Sequence, residues 1–235
     1  MDKKSMEKVD LSLTNEEFLK KYGRKKTVGV YTLGCKVNQY DSEAVSNLLE
    51  EAGYEIVGTD MKADVYIINT CTVTGISARK SRQMIRKAKS LNEDSIVVVM
   101  GCYSQTSPEE VSTIPGVNLI IGTNNRNKIV EYLDKFFNSN KADGTDKIVR
   151  IDNNEFFKSD KSEENDETEH ANALGKSKRQ LKIVSNIMKV REFEKLHVNS
   201  YKDRTRAYIK VQEGCTQFCS YCIIHYARGP VRSRN

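Results

Sequence analysis

Val65-Tyr66-Ile67-Ile68-Asn69 is a short apolar run followed by Thr70 and Cys71, and the chain contains three such runs ending near a cysteine. Val28-Gly29-Val30-Tyr31-Thr32-Leu33 precedes Cys35, and Ile96-Val97-Val98-Val99-Met100 precedes Cys102. Each run is rich in β-branched residues and nearly unbroken, the pattern of a strand buried on both faces of a parallel sheet. Segments with helical patterning separate the runs, which predicts an α/β fold built on an open parallel sheet. Ligands of such sheets bind outside the carboxyl ends of the strands. Cys35, Cys71 and Cys102 all fall just past those ends. A free cysteine is often only a small buried hydrophobe, so three structural thiols is the plain alternative. The shared position at one sheet edge favours a three-cysteine cluster site.

Outward from these runs, residues 1–25 form a polar, partly helical lead-in. The first strand covers about 27–33, and Asp41-Ser42 is expected to cap a helix that runs to Ala52 and stops at Gly53. After a strand at 64–69, a helix over 76–91 is expected to bury Ser81, Met84, Ile85 and Ala88. Its other faces carry Arg79, Lys80, Arg82, Arg86, Lys87 and Lys89, with no acidic residue to balance them. That face is either solvated surface or a phosphate-contacting surface beside the Cys71 loop. A short helix at 108–112, a strand at 117–121 and a helix at 126–138 complete an amino-terminal domain over 26–140.

Residues 141–200 read as a linker. Its stretch 152–169 holds Asp152, Glu155, Asp160, Glu163, Glu164, Asp166, Glu167 and Glu169 against Lys158 and Lys161. Such a segment has little to bury, and His170 reads as solvated. Over 201–235 the chain turns basic, and Ala207–Val211 reads as a strand delivering the run Gly214-Cys215-Thr216-Gln217-Phe218-Cys219-Ser220-Tyr221-Cys222 to its carboxyl end, as at the opening of a barrel. The spacing of Cys215, Cys219 and Cys222 is C-x3-C-x2-C. Three thiols in so short a loop can each reach a different iron of one cluster. A four-iron cluster normally takes four thiolates, so three leave one iron open for a substrate or cofactor. A zinc knuckle or a disulfide loop is the alternative, although zinc sites usually show paired C-x2-C motifs or added histidines.

Composition agrees with a cytoplasmic metalloprotein. The 235 residues suffice for one large or two small domains, and Met1 to Lys8 leads into no apolar stretch, so neither a signal peptide nor a membrane span is visible. Six cysteines in a reducing cytosol favour metal or catalytic roles over disulfides. The net charge of +6 is compatible with a nucleic-acid partner and equally with simple solubility.

Gly34-Cys35-Lys36-Val37-Asn38-Gln39-Tyr40-Asp41-Ser42-Glu43, Asn69-Thr70-Cys71-Thr72-Val73-Thr74 and Gly101-Cys102-Tyr103-Ser104-Gln105 resemble the amino-terminal domain of radical S-adenosylmethionine methylthiotransferases. Thr205-Arg206-Ala207 through Cys222-Ile223-Ile224, with Tyr226-Ala227-Arg228-Gly229, resembles the start of their radical domain, a partial (βα) barrel. Within the family, Lys36-Val37-Asn38 is similar to the branch acting on N6-threonylcarbamoyladenosine of tRNA; the isopentenyladenosine branch typically has Gln-Met-Asn there and the ribosomal-protein branch Pro-Lys-Asn.

The resemblance implies two 4Fe-4S clusters. One, on Cys215, Cys219 and Cys222, would bind and reductively cleave S-adenosylmethionine; an auxiliary one, on Cys35, Cys71 and Cys102, would carry or donate the sulfur. It implies transfer of a methylthio group to C2 of threonylcarbamoyladenosine at position 37, with the tRNA anticodon loop and an electron donor as partners and no membrane. It suggests phosphate contacts for Arg228, Arg232 and Arg234. His225 stands where the family usually has proline, as a fourth ligand or as a tolerated loop change, and the chain reaches Asn235 soon after the cluster loop, so it reads as the front part of such an enzyme. The rival readings are a non-catalytic iron–sulfur or zinc fragment that binds RNA or a partner, and an isopentenyladenosine enzyme.

Overall fold

Strands β1 (Thr27–Thr32), β2 (Glu55–Val57), β3 (Val65–Thr70), β4 (Ile96–Gly101) and β5 (Leu119–Ile121) lie side by side in the order β2-β1-β3-β4-β5, and β7 (Leu181–Ile183) and β6 (Val149–Arg150) extend the sheet beyond β5. Every pairing in this sheet is parallel. The computed structural model describes residues 9–72, 75–139, 149–150, 180–201 and 206–235. The acidic stretch 152–169, His170, Val73, Thr74 and Thr205 lie outside the described residues.

Helices cover both faces, as the unbroken strand runs require. On β3, Val65 and Ile67 point to one face and Tyr66 and Ile68 to the other, and all six residues of the strand are buried. The first face packs against α2 (Lys36–Glu51) and α6 (Ile129–Ser139) through Val45, Leu49, Ile129, Leu133 and Phe136. The second packs against α3 (Gly75–Leu91), α4 (Cys102–Thr106) and α5 (Pro108–Ser112) through Ile85, Ala88, Tyr103 and Val111. Fully burying an aliphatic side chain such as Ile67 stabilises by roughly 1.5–3 kcal/mol. Ahead of the sheet, α1 (Asn15–Tyr22) begins with a reciprocal capping box between Thr14 and Glu17.

The strand order creates a crevice. The chain leaves β1 through α2 toward β2 on one side, and leaves β3 through α3 toward β4 on the other. The connections diverge between β1 and β3, which opens space at the carboxyl ends of those two strands. Cys35 and Cys71 follow those two strands, and Cys102 follows the next one, β4.

Several expectations need correcting. Helix α2 starts at Lys36 with Cys35 as its N-cap, so Asp41 and Ser42 lie inside the helix and are buried. Gly34, at φ 105°, turns the chain so sharply that the helix begins five residues before Asp41, whose carboxylate is drawn into a cluster of cations instead. Met84 is only partly buried. The predicted helix over 126–138 opens as a 3-10 turn at Arg126–Lys128 before α6. Leu181–Ile183, within the span read as linker, is a sheet strand. Residues 207–211 form no strand: regular pairing here is confined to β8 (Gln212–Glu213) with β9 (Arg232–Ser233), antiparallel, and Ile209 and Val211 are exposed. A strand needs a neighbour to take up its backbone groups, and β9 is too short to serve all of 207–211.

The basic face of α3 is also balanced by other elements. Arg82 pairs with Glu110 at 2.9 Å and donates to the Tyr103 hydroxyl, Lys87 pairs with Asp60, and Lys89 donates to backbone carbonyls of Glu93 and Ser95. Arg79, Lys80 and Arg86 carry no ion pair among the described residues.

Candidate cysteine cluster sites and the buried charges between them

Cys35 caps α2 and is exposed, Cys71 directly follows β3, and Cys102 opens α4; the last two are buried. Glycine backbone lets the cysteine loops pass close to one another. A Cβ on Gly34 would stand 2.8 Å from Cys71 Cβ and 3.1 Å from its Sγ, and one on Gly101, at φ 101°, would stand 2.7 Å from the Thr70 carbonyl. Both positions combine a left-handed backbone with a close approach that excludes a side chain.

Asn38 ties these loops together. Its Nδ2 donates to the carbonyls of Leu33 at 2.6 Å and Thr70 at 2.9 Å, just ahead of Cys35 and Cys71. From the β3 side, Asn69 Nδ2 donates to the Asn38 carbonyl and to Ser42 Oγ, and Thr70 Oγ1 donates to the Met100 carbonyl at 2.6 Å, two residues before Cys102. Burial pushes the Cys102 thiol up, Arg228 opposes that, and Cys71 and Cys35 stand close enough to add to it. The structure therefore brings Cys35, Cys71 and Cys102 to one edge. Among the described residues no three Cys, His, Asp or Glu side chains enclose a single metal ion. Thiols spaced along an edge and backed by glycine suit a polynuclear cluster, in which each thiolate serves a different iron.

The second triad sits on a loop closed by Cys215 N–H donating to the Gly229 carbonyl and Cys222 N–H to the Cys219 carbonyl, both at 3.0 Å. Phe218, at φ 49°, turns the chain just before Cys219, which is exposed, while Cys215 and Cys222 are half-buried. His225 is buried with its ring centroid 4.6 Å from Phe218 and 3.9 Å from Tyr226, so the ring packs as an aromatic. Arg228 and Arg232, expected at phosphates, are buried; Arg234 is exposed and bonds His197 Nδ1 at 2.8 Å.

Between the triads lies a cluster of buried charges that sequence reasoning missed. Arg126 pairs with Asp41, with Glu194 at 2.6 Å and with Glu213 at 3.3 Å. Lys210 reaches Asp41 at 2.7 Å and Glu213 at 3.3 Å. Arg228, the last residue of α7 (Ile224–Arg228), reaches Asp41 at 2.9 Å, Glu213 at 2.5 Å and, through Nη2, Asn38 Oδ1. Arg232 lies 3.8 Å from Glu213 and donates to the Arg228 carbonyl. Burial pushes the Asp41 and Glu213 carboxyls up, but Arg126, Lys210 and Arg228 outweigh it, lowering Asp41 and holding Glu213 well below the usual carboxylate range. Such a cluster is weak evidence of net stability, yet removing one member strands the others in low dielectric. Here it joins β8, through Glu213, and α7, through Arg228, to Asp41 of α2. The available signal was Asp41 itself, a carboxylate one turn from Asn38 and Val45 on the buried face of α2.

With this geometry in place, the chain can be compared with known proteins. A profile of the family described as "Uncharacterized protein family UPF0004" matches residues 27–122. The chain is 43% identical over 209 residues to the threonylcarbamoyladenosine tRNA methylthiotransferase MtaB of Bacillus subtilis, a match covering 89% of this chain and 38% of that protein. It is 34% identical over 206 residues to the MtaB of Aquifex aeolicus, covering 88% of this chain and 41% of that protein. The ribosomal protein uS12 methylthiotransferase RimO of Natranaerobius thermophilus is 28% identical over 211 residues, with 88% of this chain and 38% of that protein covered. The chain thus spans about two-fifths of the length of the relatives it matches.

Proposed function

Because the chain belongs to the methylthiotransferase family and matches the amino-terminal part of its members, we propose that it is the front part of a radical S-adenosylmethionine enzyme that adds a methylthio group to C2 of N6-threonylcarbamoyladenosine at position 37 of tRNA. The observation that carries this reading is the delivery of Cys35, Cys71 and Cys102 from three adjacent strands to one carboxyl edge of a parallel sheet. The substrate branch rests on Lys36-Val37-Asn38 and on the higher identity to the two threonylcarbamoyladenosine enzymes than to the ribosomal-protein enzyme.

In this reading Cys215, Cys219 and Cys222 hold one 4Fe-4S cluster with S-adenosylmethionine, and Cys35, Cys71 and Cys102 hold an auxiliary cluster. When bound, these groups supply the reductive cleavage and sulfur chemistry that no side-chain acid or base provides. The chain's own residues do the positioning. Gly34 leaves room beside the Cys71 sulfur, Gly101 lets the backbone pass close to Thr70 just ahead of Cys102, Asn38 fixes the loops of Cys35 and Cys71, and the exposed Cys35 and Cys219 leave each site open to partners. Residues 206–235 open the radical domain. The partners are the tRNA anticodon loop, whose splayed bases proteins read readily, and an electron donor. No helix of the described residues is long and apolar enough to cross a membrane, and a cytoplasmic site of action fits this reading.

The test is mass spectrometry of tRNA nucleosides from cells that lack the full-length protein. Loss of the methylthio group from threonylcarbamoyladenosine, with isopentenyladenosine derivatives spared, is the expected result. Loss from the isopentenyl nucleoside alone would overturn the branch.

A further inference from the structure

Helix α7 carries Arg228 as its last residue and packs on α4, whose first residue is Cys102. Thr123, just after β5, bridges the two helices: its Oγ1 donates to the Ala227 carbonyl at 2.6 Å and its N–H to Gln105 Oε1 of α4 at 3.0 Å. The Arg228 side chain is 6% exposed. Its Nη2 donates to Asn38 Oδ1, and the amide of Asn38 grips the backbone ahead of Cys35 and Cys71. One guanidinium from the second cysteine motif therefore reaches all three loops of the first, one through helix packing and two through a single amide.

Among the described residues, the charges around it do not cancel. Four cations, Arg126, Lys210, Arg228 and Arg232, share three carboxylates, Asp41, Glu194 and Glu213. A surplus cation held in low dielectric is costly unless an anion lies near. Arg228 is the member of this set that faces the cysteine edge: it bonds Asn38 Oδ1, and the helix that it closes packs on α4, which Cys102 opens. A site built on thiolates supplies the missing negative charge.

We propose that Arg228 is the counter-ion of the Cys35–Cys71–Cys102 site: provided by the second cysteine motif, it stabilises the added negative charge when the group held there accepts one electron from a one-electron donor, which is itself oxidised. The inference rests on the reading that these cysteines hold an iron–sulfur cluster. Net charge and hydrogen bonds around the sulfurs set the reduction potential of such clusters. Arg228 thereby makes the redox poise of the amino-terminal site depend on the docking of the carboxyl-terminal segment.

The experiment uses the 235-residue chain with Cys215, Cys219 and Cys222 changed to alanine, reconstituted anaerobically so that iron enters only the amino-terminal site. Iron per chain, circular dichroism and the midpoint potential followed by electron paramagnetic resonance are compared with Arg228→Met, Arg228→Lys and Asp41→Asn added. Arg228→Met is expected to lower the potential, Arg228→Lys to retain most of it, and Asp41→Asn to raise it by removing a neighbouring anion. The opposite sign expected for Asp41→Asn keeps the proposal exposed to failure even where Arg228→Met does not fold. Unchanged potentials at equal iron content would overturn the counter-ion role alone. A parent chain that takes up no iron at this site would overturn the cluster reading and the inference with it.

Discussion

Arg228 Nη2 donates to Asn38 Oδ1 across 190 residues of sequence, and this bond joins the two cysteine motifs through buried side chains. Asn38 belongs to the first turn of α2, directly after Cys35, and Arg228 closes the short helix that follows Cys222. The guanidinium has further anchors in Asp41 and Glu213, so the bond sits in a rigid frame. Two sites that look independent in sequence share one electrostatic core.

The core gives a prediction for stability. Asp41→Ala leaves Arg126, Lys210 and Arg228 short of a partner, and breaking a buried pair in this way costs about 3–5 kcal/mol. Urea unfolding followed by circular dichroism measures it. Arg234→Ala, on the exposed side of the same segment, is expected to stay within about 0.5 kcal/mol. Equal effects of the two substitutions would show that the buried cluster has no special weight.

The same carboxylates predict the response to acid. The folded values of Asp41 and Glu213 lie below their unfolded values, so their contribution to stability is complete above the unfolded range of about 3.9 to 4.3. It is lost as the pH falls from that range through the folded values. Unfolding free energy should therefore be insensitive to these two groups from pH 7 to about 5 and fall steeply below about 4. A chain carrying Asp41→Asn and Glu213→Gln should start lower and show a shallower acid limb; an identical acid slope would contradict the assignment.

Gly101→Ala tests the cradle of the amino-terminal site. The new Cβ would meet Asn69 Oδ1 at 2.5 Å and the Thr70 carbonyl at 2.7 Å, on a backbone at φ 101°. Strain of this kind costs on the order of 1–3 kcal/mol, and the displaced Cys102 should lower iron uptake. Gly23→Ala is the control, since its added Cβ meets nothing within 4 Å and only the left-handed backbone at φ 66° is penalised. Thermal unfolding and iron assay of both variants decide it, with a loss of iron confined to Gly101→Ala.

Metal content follows from the two triads. Anaerobic reconstitution should load about eight irons per chain, because each three-cysteine set is matched to a four-iron cluster. Replacing Cys215, Cys219 and Cys222 by alanine should remove half of them. Stoichiometric zinc with no iron would rule out the two-cluster arrangement.

The two triads should also separate by step in the full-length enzyme. Cys71→Ala is expected to leave S-adenosylmethionine cleavage intact and abolish methylthiolated tRNA, while Cys219→Ala abolishes both, since a substitution blocks only the steps that use the lost group. Chromatography of 5′-deoxyadenosine beside tRNA nucleoside analysis reads the two outcomes. Normal methylthiolation by the Cys71→Ala enzyme would leave Cys35, Cys71 and Cys102 as structural thiols.

The sequence by itself determined the parallel sheet and the two cysteine triads. Runs such as Ile96–Met100 bury on both faces whatever surrounds them, and a cysteine just after such a run lands at the carboxyl edge through local chain geometry. What local pattern could not reveal was the partner of a charge. Asp41 has the composition of a helix cap, and Arg228 and Arg232 that of exposed phosphate ligands, yet all three are buried. Their partners lie 15 to 187 residues away, on Glu213 and across the sheet edge. The strand expected at 207–211 failed for a related reason, because strand formation requires a neighbour that those residues do not specify. Only the tertiary structure decided which charges meet, since hydrophobic periodicity is written along one segment whereas an ion pair is fixed by two segments brought together in the folded chain.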